Sequence, residues 1–223
     1  MKTITVMSLK GGSGKTTVAV SLAITAHLLG LKTKLCDADP QRSASLSLGS
    51  RQGDGPAFQT SMPGTLYQNG VIAAREGFML RVIDTPAAPR VDVVQAASCA
   101  DLCLVVCRPT FLDIASVLQS AELIKQLGKV AAVVLNQTPP ARGDIDPPAV
   151  RKAIEALTLT GLPLAGVIRS RLAYQHSLAY GRSAAEDGSD QVARELNVLW
   201  ATAQRLLSAG SISASRPSTA VVA

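Results

Sequence analysis

Aromatic residues are scarce in this chain of 223 residues: one Trp, three Tyr and three Phe make up 3% of it. Its core must therefore be built from Val, Ile, Leu and Ala. Histidine is rarer still. His27 and His176 are the two in the chain, and their positions suit neither a catalytic triad nor a metal site. Charged residues reach only 17%, but 47% of the chain is hydrophobic, which excludes global disorder. No apolar run approaches the roughly 18 residues of a membrane span. The opening MKTITVMSLKGG lacks the apolar core and small-residue cleavage site of a secretory signal. The expected location is the cytoplasm. There a disulfide is disfavoured, and Cys36, Cys99, Cys103 and Cys107, all within apolar runs, read as small buried hydrophobes.

Strand and helix patterns alternate along the chain. Residues 2–8, 32–37, 79–84, 101–107, 129–136 and 163–168 read as strands that are apolar almost throughout. That pattern suits strands covered on both faces, as in a parallel sheet. Helical patterns fall at 15–29, 64–76, 90–98, 111–127, 147–157 and 190–207. The stretch 49–63 reads as a surface loop around a short strand. The expectation is an α/β fold, a doubly wound and mostly parallel sheet with helices on both faces. It forms one domain over 1–207, and 208–223 form a disordered tail. Ligands of such sheets bind at the carboxyl ends of the strands, so the chemistry should lie after residues 8, 37, 84, 107 and 136.

Residues 10–17 read Lys-Gly-Gly-Ser-Gly-Lys-Thr-Thr, after a strand and at the start of a helix. This is the context of a phosphate-binding loop. Backbone N–H groups of Gly11, Gly12, Ser13 and Gly14 can converge on phosphate oxygens, and the helix N-terminus adds positive potential. Lys15 can reach the β- and γ-phosphates, the Thr16 hydroxyl can ligate Mg²⁺, and Thr17 can contact the α-phosphate. The expected ligand is ATP with Mg²⁺.

The position five before the Gly14–Lys15 pair holds Leu9 rather than glycine, and a second lysine, Lys10, follows. This resembles the deviant Walker A motif of the ParA/MinD superfamily of ATPases, closest to its short single-domain ParA-like partition proteins. The resemblance continues through Asp37-Ala-Asp39-Pro-Gln41, through Asp84-Thr85-Pro86 at the end of MLRVID, through Arg108-Pro109-Thr110 with Asp113, and through RSRLAYQHSLAYG (169–181). It covers roughly residues 2–205. By resemblance, Lys10 reaches across an ATP-dependent homodimer to the partner's nucleotide, as an arginine finger does. Asp39 orients water or supports the metal, and Asp84 is the Walker B aspartate that holds Mg²⁺. Asp37 reads as structural, and helix capping competes as a reading of both Asp37 and Asp39. Asn136 contacts adenine in relatives, or it is a strand-end turn residue here.

The formal charge is +6, which permits an acidic partner without requiring one. No acid lies between Glu155 and Glu186, a stretch that holds Arg169, Arg171 and Arg182. ParA-like ATPases bind double-stranded DNA nonspecifically through basic residues in their C-terminal part, which makes these arginines candidates for phosphate contacts. Arg169 and Arg171 could instead face the nucleotide or the dimer partner. The resemblance implies a weakly active, nucleoid-associated partition ATPase stimulated by a ParB-like partner. The alternative is an ATP-switched regulator that positions a protein assembly or division site. The end of the chain, SRPSTAVVA, has no bulky apolar face, so no membrane partner is expected.

Overall fold

The computed structural model describes residues 1–88, 90–143 and 145–214. The apolar runs become seven strands: β1 (Lys2–Met7), β2 (Thr33–Asp37), β3 (Ala57–Thr60), β4 (Leu80–Asp84), β5 (Leu102–Cys107), β6 (Val130–Thr138) and β7 (Leu164–Arg169). They form one sheet in the order β3-β2-β4-β1-β5-β6-β7, with every pairing parallel. After β1 the chain winds toward β3, and from β5 onward it winds toward β7. The order reverses beside β1, so the crevice that such a sheet offers a ligand opens at the carboxyl end of β1.

Helices cover both faces, as the near-continuous burial of the central strands requires. One face carries α1 (Lys15–Leu28), α2 (Ser43–Gly49), α7 (Leu172–Ala179) and α8 (Asp190–Ala214) over a core that includes Ile4, Val6, Leu22, Ile24, Leu35 and Leu104. The other carries α4 (Arg90–Ser98), α5 (Phe111–Gln126) and α6 (Pro148–Thr158) over Met7, Val105, Val133 and Leu135. α3 (Leu66–Arg75) closes a smaller cluster through Leu66, with Cys36 and Ile83. The core is aliphatic, and truncating a fully buried member such as Leu22 or Ile24 would remove about 2–5 kcal/mol of stability.

Two helices have no clear sequence signal. α2, SASLSLG, is made largely of small residues. Its first turn is completed from outside, because the Ser45 N–H donates to Asp37 Oδ2 at 2.7 Å. α7 is short and is held by Glu195 of α8, to which the Tyr174 hydroxyl donates at 2.9 Å. The terminal helix runs to Ala214 rather than stopping at 207. Helix therefore replaces the first part of the expected tail, and its remainder, 215–223, lies outside the described residues. On α8, Val192, Leu196, Leu199, Trp200, Ala203 and Leu207 form one buried stripe against the sheet. Among the described residues no helix is long and apolar enough to cross a membrane.

Candidate functional site

The carboxyl end of β1 passes through Ser8–Ser13 and enters α1 at Lys15. Gly14, the residue before the helix, is left-handed at φ 89°, a conformation that favours glycine. A Cβ there would also strike the amide of Asn136. Asn136 is buried, and its Nδ2 donates to the Ser13 carbonyl at 2.8 Å. Gln137 follows it in the left-handed region at φ 54°, and its Nε2 donates to the Gly12 carbonyl at 3.1 Å. The register of β6 against β7 shifts between Leu135 and Thr138. Such a bulge re-aims side chains at the end of a strand, and here it turns two amides onto the phosphate loop. Asn136, which the sequence offers as an adenine contact or a turn residue, lies under the phosphate loop. Its amide grips the underside of the loop, while Gln137, which no motif singles out, lines the cleft.

That cleft, about 640 Å³, is lined by Gly11, Gly12, Gly14, Lys15 and Thr16, with Asp39, Pro40, Gln41 and Ser43 on one side and Pro86–Ala88 on another. Ser13 is fully buried beneath the loop, and Thr17 follows within the first turn of α1. Lys15 is 7% exposed. Burial lowers its pKa, and the nearby Asp84 and Asp39 carboxylates only partly oppose this.

Asp84 ends β4 with no exposed surface. Thr16 Oγ1 donates to its Oδ2 at 2.8 Å, and its Oδ1 has no partner. Burial pushes the Asp84 pKa up to about 7; the Thr16 hydrogen bond opposes the rise and the charge of Asp37 adds to it. An orphaned carboxylate oxygen beside the Thr16 hydroxyl, with the Asp39 carboxylate on the cleft that Thr16 lines, is an oxygen donor set suited to a hard divalent cation. The residues therefore fit Mg²⁺, and Thr16 and Asp84 would hold it. Asp37 is buried and accepts from the N–H groups of Asp39 (3.2 Å) and Ser45 (2.7 Å), the structural role expected of it. Asp39 faces the cleft and accepts from the Gln41 N–H at 2.9 Å through Oδ1.

Lys10 does not line this cleft. Its Nζ lies 3.3 Å from Asp113 Oδ2 in the first turn of α5. Arg108 holds the same carboxylate through Nε at 3.1 Å and Nη2 at 3.2 Å.

The three arginines expected on DNA each have an acidic partner within the chain. Arg169 reaches Asp146 at 2.6 Å and Arg171 reaches Glu195 at 2.8 Å. Arg182 lies 3.2 Å from Asp187. Glu195 also accepts from the Arg169 N–H, so these contacts tie the end of β7 to α8. In the free protein these ion pairs of Arg169 and Arg171 fasten this corner of the fold. Exposed cations without such a partner among the described residues include Arg151 and Lys152 of α6.

Residues 4–184 match the family model described as the CobQ/CobB/MinD/ParA nucleotide binding domain. The chain is 30% identical over 200 residues to the maintenance of carboxysome distribution protein A of Halothiobacillus neapolitanus, covering 84% of this chain and 88% of that one. It is 32% identical over 134 residues to a protein ParA of Rhizobium radiobacter, covering 56% of this chain and 57% of that one. Among solved structures, apo McdA from Cyanothece superposes with a TM-score of 0.78 at 18% identity, over 91% of this chain and 99% of that one.

Proposed function

This chain belongs to the CobQ/CobB/MinD/ParA nucleotide-binding family and is an ATPase, and from that premise we propose that it is an ATP-switched, dimerising motor that positions a cargo on duplex DNA. One observation carries the reading. The loop has two lysines with different placements: Lys15 enters the nucleotide cleft, while Lys10 stays outside it. A lysine outside its own cleft is available to the nucleotide of a second copy. Apolar side chains at the same edge of the sheet support such a face, since Val91, Phe111 and Leu112 are all exposed.

Each residue has a role in this proposal. The loop amides and Lys15 bind the phosphates of ATP. Thr16 and Asp84 would hold Mg²⁺, which would supply charge neutralisation at the phosphoryl oxygens. Asp39 orients the attacking water, and Lys10 stabilises the partner's transition state. Pro86–Ala88, two to four residues after Asp84, line the cleft and couple the nucleotide state to the dimer face. The dimer binds nonspecific double-stranded DNA through its net positive surface, and a ParB-like adaptor on the cargo accelerates hydrolysis and release. The cargo of the first reading is a plasmid or chromosomal locus.

The relative from Halothiobacillus, named for carboxysome distribution and matched over most of its length, favours a second reading with a protein assembly as cargo. Deleting the gene separates the two: plasmid loss supports the first, and misplaced assemblies with normal plasmid retention support the second. The common mechanism is tested by duplex DNA binding with ATP, with ADP and without nucleotide, at two salt concentrations. ATP-dependent, salt-sensitive binding that Lys15→Ala abolishes is the expected result. Dimerisation with ATP but no DNA binding in any state would remove DNA from the cycle.

A further inference from the structure

Asp113 is the most heavily coordinated carboxylate near the cleft, and it is only 1% exposed. Its Oδ1 accepts from Arg108 Nε. Its Oδ2 accepts from Arg108 Nη2, from the Thr110 hydroxyl and from Lys10 Nζ. The Asp113 N–H in turn donates to Thr110 Oγ1 at the start of α5. The titratable groups that face this carboxylate are Lys10 from the phosphate loop, Arg108 from the end of β5 and the buried Cys107 thiol.

The two cations are not equivalent. Arg108 makes two hydrogen bonds from a planar fork, and it follows β5 directly. Lys10 makes one long contact from a side chain that is 34% exposed, to an oxygen that already has two other donors. If Lys10 leaves, Asp113 keeps three donors and a full counter-charge. If Arg108 leaves, a buried carboxylate depends on Lys10 for its charge balance. Burying an unpaired charge is strongly unfavourable, so the pair is asymmetric: Lys10 can be released and Arg108 cannot. The arrangement also touches the phosphate loop. The nearest atom to a Cβ built on Gly12 is Arg108 Nη1, at 3.8 Å.

We propose that Asp113 is the positioning residue for Lys10, holding its ammonium outside the cleft in the resting protomer, and that Arg108 is the retained counter-ion that lets Lys10 depart. This inference rests on the reading in which Lys10 acts on the nucleotide of a second copy. Asp113 then sets the threshold for dimerisation. The first contact to be surrendered when a partner arrives is the one between Lys10 and Asp113, and α5 keeps its capped first turn throughout.

The test uses the full chain and two readouts. The first is the rate at which an amine-reactive acetylating reagent labels Lys10 without nucleotide, measured by mass spectrometry with the exposed Lys125 and Lys152 as internal standards. The second is the concentration of a non-hydrolysable ATP analogue, with Mg²⁺, that gives half-maximal dimer by light scattering. Asp113→Asn is expected to speed Lys10 labelling and to lower the analogue concentration, each by about 2- to 5-fold, as for a partly exposed ion pair. Arg108→Gln is expected to move both in the opposite direction. A merely structural role would move both variants the same way, and thermal melts identify any variant that fails to fold. Lys10 labelling unchanged in Asp113→Asn would overturn the proposal, as would dimer midpoints displaced in one direction by both variants. Faster labelling with an unmoved midpoint would reject the threshold role. Lys10→Ala separates the underlying reading: normal dimerisation and hydrolysis in that variant would refute action across the interface, whereas impaired hydrolysis with unmoved Asp113→Asn midpoints would refute the positioning role alone.

Discussion

Asn136 and Ser13 lie 123 positions apart in the chain and meet under the phosphate loop, where the Asn136 amide donates to the Ser13 carbonyl at 2.8 Å. The contact works only because Gly14, beside it, has no Cβ. The loop is thus shaped from below by the end of β6 as well as by its own glycines. Asn136→Ala would leave a loop carbonyl unpartnered, at about 1–2 kcal/mol. Nucleotide binding, measured by titration with a fluorescent ATP analogue, is expected to weaken by roughly 10-fold, which is what 1.4 kcal/mol corresponds to at 25 °C. Affinity equal to the wild type would show that the loop holds its shape without this amide.

The Thr16–Asp84 pair predicts a metal phenotype. Asp84→Asn removes a charge that burial already disfavours. Without nucleotide and metal, the variant is expected to melt higher than the wild type at pH 8, because an acid whose folded pKa is raised loses stability as pH climbs from the unfolded pKa toward the folded one. The stabilisation that Mg²⁺ with ADP confers on the wild type should largely disappear. Thermal melts with and without Mg²⁺ read both effects. A lower apo melting temperature would contradict the account.

Gly70 of α3 faces a buried arginine. Arg81 Nη1 lies 2.5 Å from the place a Cβ on Gly70 would take, and it donates to the Leu66 carbonyl at 2.6 Å. Arg81 is 3% exposed and its Nε donates to Thr3 Oγ1. Gly70→Ala must displace the guanidinium or the helix. Chemical denaturation should show a loss of about 1–3 kcal/mol, although alanine is the better helix former. A gain in stability would mean that α3 shifts freely.

Acid should loosen the contact between the segment after α2, which holds Arg51, and the segment before α8. Burial alone would raise the Glu186 pKa, but the hydrogen bonds from Arg51 and from the Ser183 N–H outweigh it and hold it below its ordinary 4.5. Arg51 Nη2 lies 2.9 Å from Glu186 Oε1. A lowered folded pKa gives stability that is present above 4.5 and is lost as pH falls through the folded value. Glu186→Gln is expected to lower stability by about 1–2 kcal/mol at pH 7. The gap from the wild type should shrink toward pH 3 in a series of denaturation curves. A gap that is independent of pH would assign the effect to packing.

DNA binding distinguishes the paired cations from the unpaired ones. Arg151→Glu with Lys152→Glu is expected to weaken ATP-dependent binding to duplex DNA and to flatten its salt dependence. Arg171→Ala breaks the Glu195 contact and should lower the melting temperature more than it lowers DNA affinity. The reverse ranking, read by fluorescence anisotropy beside thermal melts, would assign the phosphate contacts to the C-terminal arginines.

Most of the architecture is legible in the chain itself, for local reasons. Each central strand is an apolar run bounded by turn residues, and a parallel sheet is the arrangement in which such runs are buried on both faces. The loop at 10–17 is contiguous, so its glycines, Lys15 and Thr16 declare their chemistry from spacing alone, and Asp84 ends its strand as a motif should. What depends on distant partners is not legible in this way. α2 has a weak pattern because the carboxylate that takes up its Ser45 N–H, Asp37, sits in another element. Arg169 and Arg171 look free along the chain because their acids, Asp146 and Glu195, approach only through folding. Asn136 reads as a ligand residue or a turn residue until the bulge in β6 aims it at the loop. Lys10 is visible as a second lysine, but its contact with Asp113, 103 positions away, exists only because β1 and β5 are neighbours in the sheet. Local patterning therefore determined the elements and the phosphate loop, whereas the ion pairs and caps that hold and tune the site were decided by tertiary structure, because charge pairing depends on distance in space.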